Sequence, residues 1–244
     1  MIRRQREQRI WQAMTNGGNT MYYQFIGAVT NPENESFIRI PFNVWEVCDT
    51  QGTMTVEGTM QGQHFACELT PLGKGMYQIP VTEQIAAILG DTREQIDIRF
   101  QIPNRKAYIG GESPYSLQQP IRRVDSMKLI TQPNDGLCGQ TCIAMLAGVS
   151  LDEACEIMHC RDWQASMGKM VDTLDYLGLA HEDVIHYTQG EAVTLPKCAI
   201  LMEKMGRYSH YLVIYDGVYY DPTEGILEGF DQKNLVGYLE IKTF

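Results

Sequence analysis

The sequence lacks any apolar run long enough to span a membrane as a helix, and it lacks an excess of positive charge. Its 20 lysines and arginines stand against 30 acidic residues, so the formal net charge is −10 at pH 7. This balance argues against a general nucleic-acid-binding protein. The N-terminus is basic but has no apolar segment of the kind found in secretory signals. We therefore predict a cytoplasmic protein with no membrane span and no nucleic-acid partner.

The seven cysteines lack the even count and the close spacing of a disulfide framework, which predicts reduced thiols. They also lack the Cys-x-x-Cys spacing that is usual in structural zinc sites. A metal site is nevertheless one alternative for the group formed by Cys138, Cys142, Cys155, His159 and Cys160. Our prediction is no metal and no other cofactor, with Cys142 in the hydrophobic core.

With 244 residues, the chain is long enough for two small domains. Residues 1–20 begin with a basic segment, for which we predict a short helix and then a loose stretch. Residues 21–102 contain many short alternating segments separated by glycine-containing turns, with one short helix over 83–89. This pattern is typical of a small β-barrel or sandwich. No cluster of metal ligands or of acids and bases interrupts it, so we expect a binding or scaffolding role.

Four segments of this first part also carry a family resemblance. They are residues 23–28 (YQFIGA), 38–41 (IRIP), 56–65 (VEGTMQGQHF) and 72–80 (LGKGMYQIP). Together they resemble a bacterial domain family of unknown function, the small β-barrel known as DUF1905. The resemblance implies a β-barrel domain over residues 21–102.

The composition changes after the first domain. Residues 103–127 are rich in glycine, proline and polar side chains, which predicts a linker. Helical patterns follow, and Ser150 and Glu153 have the spacing of a capping box. The last third returns to apolar strands. Helices followed by an antiparallel sheet predict an α+β domain over residues 128–244.

The most distinctive stretch is QPNDGLCGQTCIAMLAG, residues 132–148. A loop broken by proline and glycine enters a helix at or next to Cys138, and Gly148 is placed to end that helix. A cysteine at the first turn of a helix faces free N–H groups and the positive end of the helix dipole. Both favour the thiolate, which is the nucleophilic form. The alternative is that Cys138 is one more small buried side chain.

A histidine and an aspartate are predicted to meet further along the chain. Asp216-Gly217 is a strong signal for a two-residue hairpin turn. The resulting register places His210 and Asp221 on one face as diagonal neighbours, about 7–8 Å apart between backbones and within reach of a hydrogen bond. The alternative is a core histidine and an ordinary turn residue before Pro222.

A cysteine at a helix start, a histidine on a strand and a carboxylate beside it are the parts of an activated nucleophile. The order Gln132, Cys138-Gly139, His210 and Asp221-Pro222 resembles the papain-like cysteine peptidases, most closely their C39-like group. The resemblance covers about residues 129–244. It implies Cys138 as nucleophile, His210 as its base and Asp221 as the group that orients the histidine. Gln132 is then a donor to the oxyanion.

The predicted fold class is therefore α+β: an N-terminal small β-barrel followed by a papain-like, C39-like α+β domain with an antiparallel sheet. The predicted function is a cysteine peptidase, or a related amide or thioester hydrolase, acting on a peptide or protein substrate. Typical members of the group precede membrane transporters and cut peptide leaders, whereas this chain has a β-domain in front, so that substrate is not carried over. Two alternatives remain: an inactive peptide-binding module of the same fold, and an acyltransferase that uses the same triad. The sequence carries no prediction of an oligomeric state.

Overall fold

A computed structural model describes residues 21–30, 35–47, 52–102, 107–205 and 208–243. Within these ranges the chain combines a 13-stranded sheet with four α-helices. The mixed α and β composition and the β-rich N-terminal region agree with the sequence. The short helix expected in residues 1–20 lies outside the described residues.

The helices and strands of the described ranges are short, and the longest is a strand of 11 residues. The helices are α1 (Glu83–Leu89), α2 (Cys138–Ala147), α3 (Leu151–Met158) and α4 (Met167–Tyr176). The strands are β1 (Tyr22–Gly27), β2 (Val29–Thr30), β3 (Phe37–Arg39), β4 (Met54–Met60), β5 (Gln63–Gly73), β6 (Met76–Pro80), β7 (Ile96–Gln101), β8 (His181–Tyr187), β9 (Cys198–Met205), β10 (Tyr208–Tyr215), β11 (Val218–Asp221), β12 (Gly225–Leu227) and β13 (Leu235–Ile241). Two short 3-10 turns lie at Val44–Glu46 and Gln232–Asn234.

The N-terminal strands follow the order β1-β7-β4-β5-β6-β3-β2. Only Ala28 separates β1 from β2, so this order begins and ends on one stretch of chain, which is the connectivity of a closed sheet. Alternate side chains of β1, β4, β5 and β7 point inward, as the sequence pattern predicts. The buried side chains include Phe25, Phe65, Leu69, Ile98 and Phe100.

The C-terminal strands follow the order β12-β11-β10-β9-β13-β8, and all of their pairings are antiparallel. Helices α2, α3 and α4 contact one another, and α2 packs on β10. Local signals place these helices. Gly148 ends α2 in the left-handed conformation at φ 69°, and Ser150 and Glu153 form the predicted capping box of α3.

Strand β1 joins the two halves of the sheet. It pairs antiparallel with β7 along one edge and parallel with β8 along the other, from Tyr22↔Val184 to Phe25↔Tyr187. The rings of Phe42 and Tyr187 stack beside this junction with centroids 4.3 Å apart. One hydrophobic core consequently contains buried residues from both halves.

Residues 107–137 connect the halves without forming a helix or a strand. They run along α4: the N–H of Tyr108 donates to Asp172 Oδ2 at 2.6 Å, and the N–H of Ile121 donates to the Leu177 carbonyl at 3.0 Å. The segment therefore packs on the C-terminal half. Among the described residues, no helix is both long and apolar enough to cross a membrane.

Candidate active site

Cys138 is the first residue of α2, and its side chain is nearly buried, with 9% exposure. The residue before it, Leu137, makes no side-chain capping bond, so the first N–H groups of α2 are left without a side-chain cap. Gly139 follows because nothing larger fits: a Cβ there would lie 2.5 Å from the Cβ of Ala165. The helix start is thereby held close to the segment that precedes α4.

His210 and Asp221 form the ion pair at the centre of the site. The predicted hairpin register is confirmed by the pairing of Val213 with Tyr220 and of Tyr215 with Val218. His210 Nε2 lies 2.8 Å from Asp221 Oδ2, and both side chains are buried. The other oxygen, Asp221 Oδ1, accepts from the N–H groups of Thr223 and Glu224 at 2.6 and 3.0 Å. The carboxylate is therefore fixed before it orients the ring.

Cys138 lines the same cleft as His210, and the interactions of the imidazole with Cys138 and Asp221 determine the charge of His210. Burial alone lowers the pKa of His210. The hydrogen bonds to Asp221 and Cys138, with the charges of both groups, outweigh burial and raise this pKa to about 10. Burial also opposes ionisation of Asp221, but its bonds to His210, Glu224 and Thr223 lower its pKa. A protonated histidine is the partner that favours a thiolate.

Gln132 lies in the loop before α2, and two neighbours fix its side-chain amide. Its Oε1 accepts the N–H of Leu137 at 2.9 Å, and its Nε2 donates to Thr223 Oγ1 at 2.7 Å. Because a backbone N–H can only donate, the first bond determines which end of the amide is oxygen. The N–H of Gln132 donates to the carbonyl of Pro222 at 2.8 Å. The segment after Asp221 thus positions Gln132 as well as His210.

These side chains line a single cleft of about 410 Å³. The structure brings Gln132, Cys138 and His210 together on its wall, with Asp221 directly behind the histidine. Thr223 also lines it, and no sequence pattern predicts its bond to Gln132. Further lining residues were not anticipated, among them Trp163, Met205 and Tyr208. Gln189, Glu191, Ala192 and Val193 line a different cleft, next to β1 and β8.

The other described cysteines are free thiols, and burial opposes their ionisation. Burial raises the pKa of Cys67 to about 11 and that of Cys198 to about 12. The pKa of Cys142 is raised, mainly by burial and to a smaller extent by the nearby charges of Cys138 and Asp221.

The alternative for the cysteines near Cys138 is a metal site. Within the described ranges, no three His, Cys, Asp or Glu side chains are grouped so that they could hold a metal ion.

Comparison with known families concerns the N-terminal part of the chain. Residues 25–95 match DUF1905, which is described as a domain of unknown function. This match supports the resemblance expected for that part, and it does not extend to the residues that form the cleft. No curated protein matches the chain.

Proposed function

We propose that the chain is a cysteine peptidase whose C-terminal half is a papain-like domain of the C39-like type. It would hydrolyse amide bonds of a peptide or protein, with the N-terminal half as a binding or scaffolding domain. One observation carries the proposal: a buried histidine is bonded to a fixed carboxylate, and it lines the same cleft as a cysteine at a helix start. This arrangement has the parts of an activated nucleophile, and it opens on a cleft.

The proposed reaction has two stages. The Cys138 thiolate attacks the scissile carbonyl carbon and forms a C–S bond, while the carbonyl oxygen gains the negative charge. His210 then donates its proton to the departing amine as the C–N bond breaks, which leaves a thioester. Water attacks this thioester and gives a proton to His210. The C–S bond then breaks with its electron pair on sulfur, the acid product leaves, and the thiolate–imidazolium pair is restored.

We propose two groups as hydrogen-bond donors to the oxyanion. The N–H of Cys138 lies at the start of α2, where the helix leaves its first donors without partners inside the helix. The Nε2 of Gln132 carries two hydrogens, and its bond to Thr223 uses one of them. A neutral amide suits this position because it donates without changing its charge.

The proposal is tested by combining turnover with labelling. Purified protein is assayed on fluorescently labelled, unfolded casein, and Cys138→Ala is compared with Cys155→Ala, which removes the only described cysteine that is not buried. We expect Cys138→Ala alone to abolish cleavage and stoichiometric labelling by iodoacetamide at mildly acidic pH. An unreactive Cys138 in a protein that cleaves nothing would favour the peptide-binding module. If an added amine reacts with the thioester in preference to water, the result would favour the acyltransferase.

A further inference from the structure

Large apolar side chains are exposed at the mouth of the cleft. Trp163, Met205 and Tyr208 are 59%, 55% and 47% exposed, and all three line the space in front of Cys138. The rings of Trp163 and Tyr208 pack with centroids 5.1 Å apart. A contiguous exposed apolar surface beside a polar site is typical of a place where a ligand is bound.

The backbone of Trp163 has an uncommon conformation. Its φ of 60° lies in the left-handed region, which a bulky residue adopts only when its surroundings impose it. The N–H of Trp163 donates to the Gly136 carbonyl at 2.8 Å. Gly136 leaves room for the indole, because a Cβ at that position would lie 2.7 Å from Trp163 Nε1. The chain therefore maintains an exposed indole at the cost of backbone strain.

The turn that presents Trp163 is bonded to both sides of the nucleophile. Gly136, which accepts from Trp163, precedes Cys138 by two residues. Gln140 follows Cys138 by two residues, and its buried Nε2 donates to the carbonyl of Arg161 at 2.6 Å. The indole is thus held in a fixed place relative to the sulfur, as a group that positions substrate must be.

We propose that Trp163, Tyr208 and Met205 form a specificity subsite that accepts an aromatic or large aliphatic side chain close to the scissile bond. This inference rests on the proposed peptidase function. The three side chains carry no formal charge, which favours an uncharged substrate side chain on this surface. A charged substrate residue would lose hydration there without gaining a partner, and a glycine would leave the aromatic surface uncovered.

The test uses dipeptidyl chloromethyl ketones, in which the thiolate displaces chloride and forms a C–S bond whether or not the protein turns over substrate. The acetyl-Gly-Gly reagent carries no benzyl group. The acetyl-Phe-Gly and acetyl-Gly-Phe reagents each carry one, at a different position of the dipeptide. We expect one Phe reagent to modify Cys138 at least about ten-fold faster than the Gly-Gly reagent. Trp163→Gly should remove most of this preference, which is measured within the variant as the ratio of its Phe-reagent rate to its own Gly-Gly rate. Glycine is chosen because it accepts the positive φ.

Two controls separate the possible results. Trp45→Ala removes an exposed tryptophan of the N-terminal half and should retain the preference. Tyr208→Ala should reduce it, as Trp163→Gly does. Equal rates for the three reagents, or a preference unchanged in Trp163→Gly, would overturn the subsite even if casein is cleaved. A Trp163-dependent preference in a protein that cleaves nothing would retain the subsite and reject the peptidase.

Discussion

At the scale of single residues, the site depends on a histidine that stays charged although it is buried. Removing a charged imidazole from water is unfavourable, and this cost is offset only because Asp221 and Cys138 contact the ring. The charged form of His210 therefore stabilises the folded state. Its contribution is complete below the ordinary pKa of 6.5 and disappears as pH rises to about 10. For Asp221, whose pKa is lowered, the contribution is present above 3.8 and disappears as pH falls.

This charge state predicts a measurable titration. Followed by NMR of the imidazole ring, His210 should remain protonated through neutral pH and titrate near 10. Asp221→Asn should move the titration of His210 to lower pH. Burial lowers the pKa of His210, and fewer favourable contacts would then offset that effect. Glu182→Gln is the control, since it removes a carboxylate beside a different histidine, His186. A parent protein in which His210 titrates near 6.5 would contradict the ion pair.

Gln132 provides a second prediction at this scale. If it donates to the oxyanion, Gln132→Ala should reduce turnover about a hundred- to a thousand-fold, or roughly 3–4 kcal/mol. Alkylation of Cys138 by iodoacetamide should continue at the parent rate, because alkylation forms no oxyanion. The two rates are measured on the same preparation.

A second variant separates donation from loop structure. Gln132→Glu retains an oxygen that can accept from Leu137 but removes the two N–H donors. It should therefore be as slow in turnover as Gln132→Ala while preserving the loop. Parent-rate cleavage by either variant would assign the oxyanion donor to another group.

At the scale of elements, the start of α2 is determined by how closely it approaches the segment before α4. Alanine is the better helix former by about 1 kcal/mol, so helix propensity alone would favour Gly139→Ala. A Cβ at position 139 would lie 2.5 Å from the Cβ of Ala165, and this close contact reverses the preference. We expect Gly139→Ala to lower the free energy of unfolding by about 1–3 kcal/mol in urea denaturation.

The double variant Gly139→Ala, Ala165→Gly tests the cause of that loss. It removes the atom that the new Cβ would contact, and it should recover most of the lost stability relative to Ala165→Gly alone. Without such recovery, contact with Ala165 would not be the reason for glycine at position 139.

Elements with local signals could be predicted from the sequence almost to the residue. Helix α1 occupies Glu83–Leu89, between the capping Thr82 and Gly90, as expected. The Asp216-Gly217 turn fixed the register of β10 and β11, and from that register followed the contact of His210 with Asp221. In each case a few neighbouring residues determine the geometry.

Elements that depend on distant partners could not be predicted in this way. Strand β8 (HEDVIHY) has few apolar residues and no alternation, and it is stabilised by pairing with β1, some 160 positions away in the chain. Strand β5 continues through Pro71, where a proline usually ends a strand, because it pairs with β6 at its far end. Within the site, the exposed position of Trp163 depends on Gly136 and Gln140. The sequence shows only an isolated tryptophan in a loop, which does not indicate these contacts.

At the scale of the whole molecule, the two halves share a sheet and a core. Pairing of β1 with β8 supplies backbone hydrogen bonds, and the ring of Phe42 stacks on both Tyr23 and Tyr187. Phe42 therefore contacts a buried side chain on each side of the junction. This predicts that the halves unfold together, although the sequence suggests two domains joined by a linker.

Buried thiols in each half can report on this coupling. Cys67 lies in β5 and Cys142 in α2, and both are buried, so each is labelled only when its own surroundings open. In a Cys138→Ser background, pulse labelling across a urea series should give coincident midpoints for the two thiols. Phe42→Ala should lower both midpoints together, with a loss of about 3–5 kcal/mol in the free energy of unfolding, because it leaves a cavity between stacked rings.

The matched control is Leu72→Ala, which truncates an exposed apolar side chain of the same half and should move neither midpoint. The informative comparison is the response of Cys142, which lies in the other half from Phe42. If Phe42→Ala lowers the midpoint of Cys142, the loss of stability must be transmitted through the β1–β8 pairing and the Phe42–Tyr187 stack, since these join the sheet and the core. If Phe42→Ala shifted Cys67 alone, the halves would unfold independently, and the shared sheet would be a contact between two separate domains.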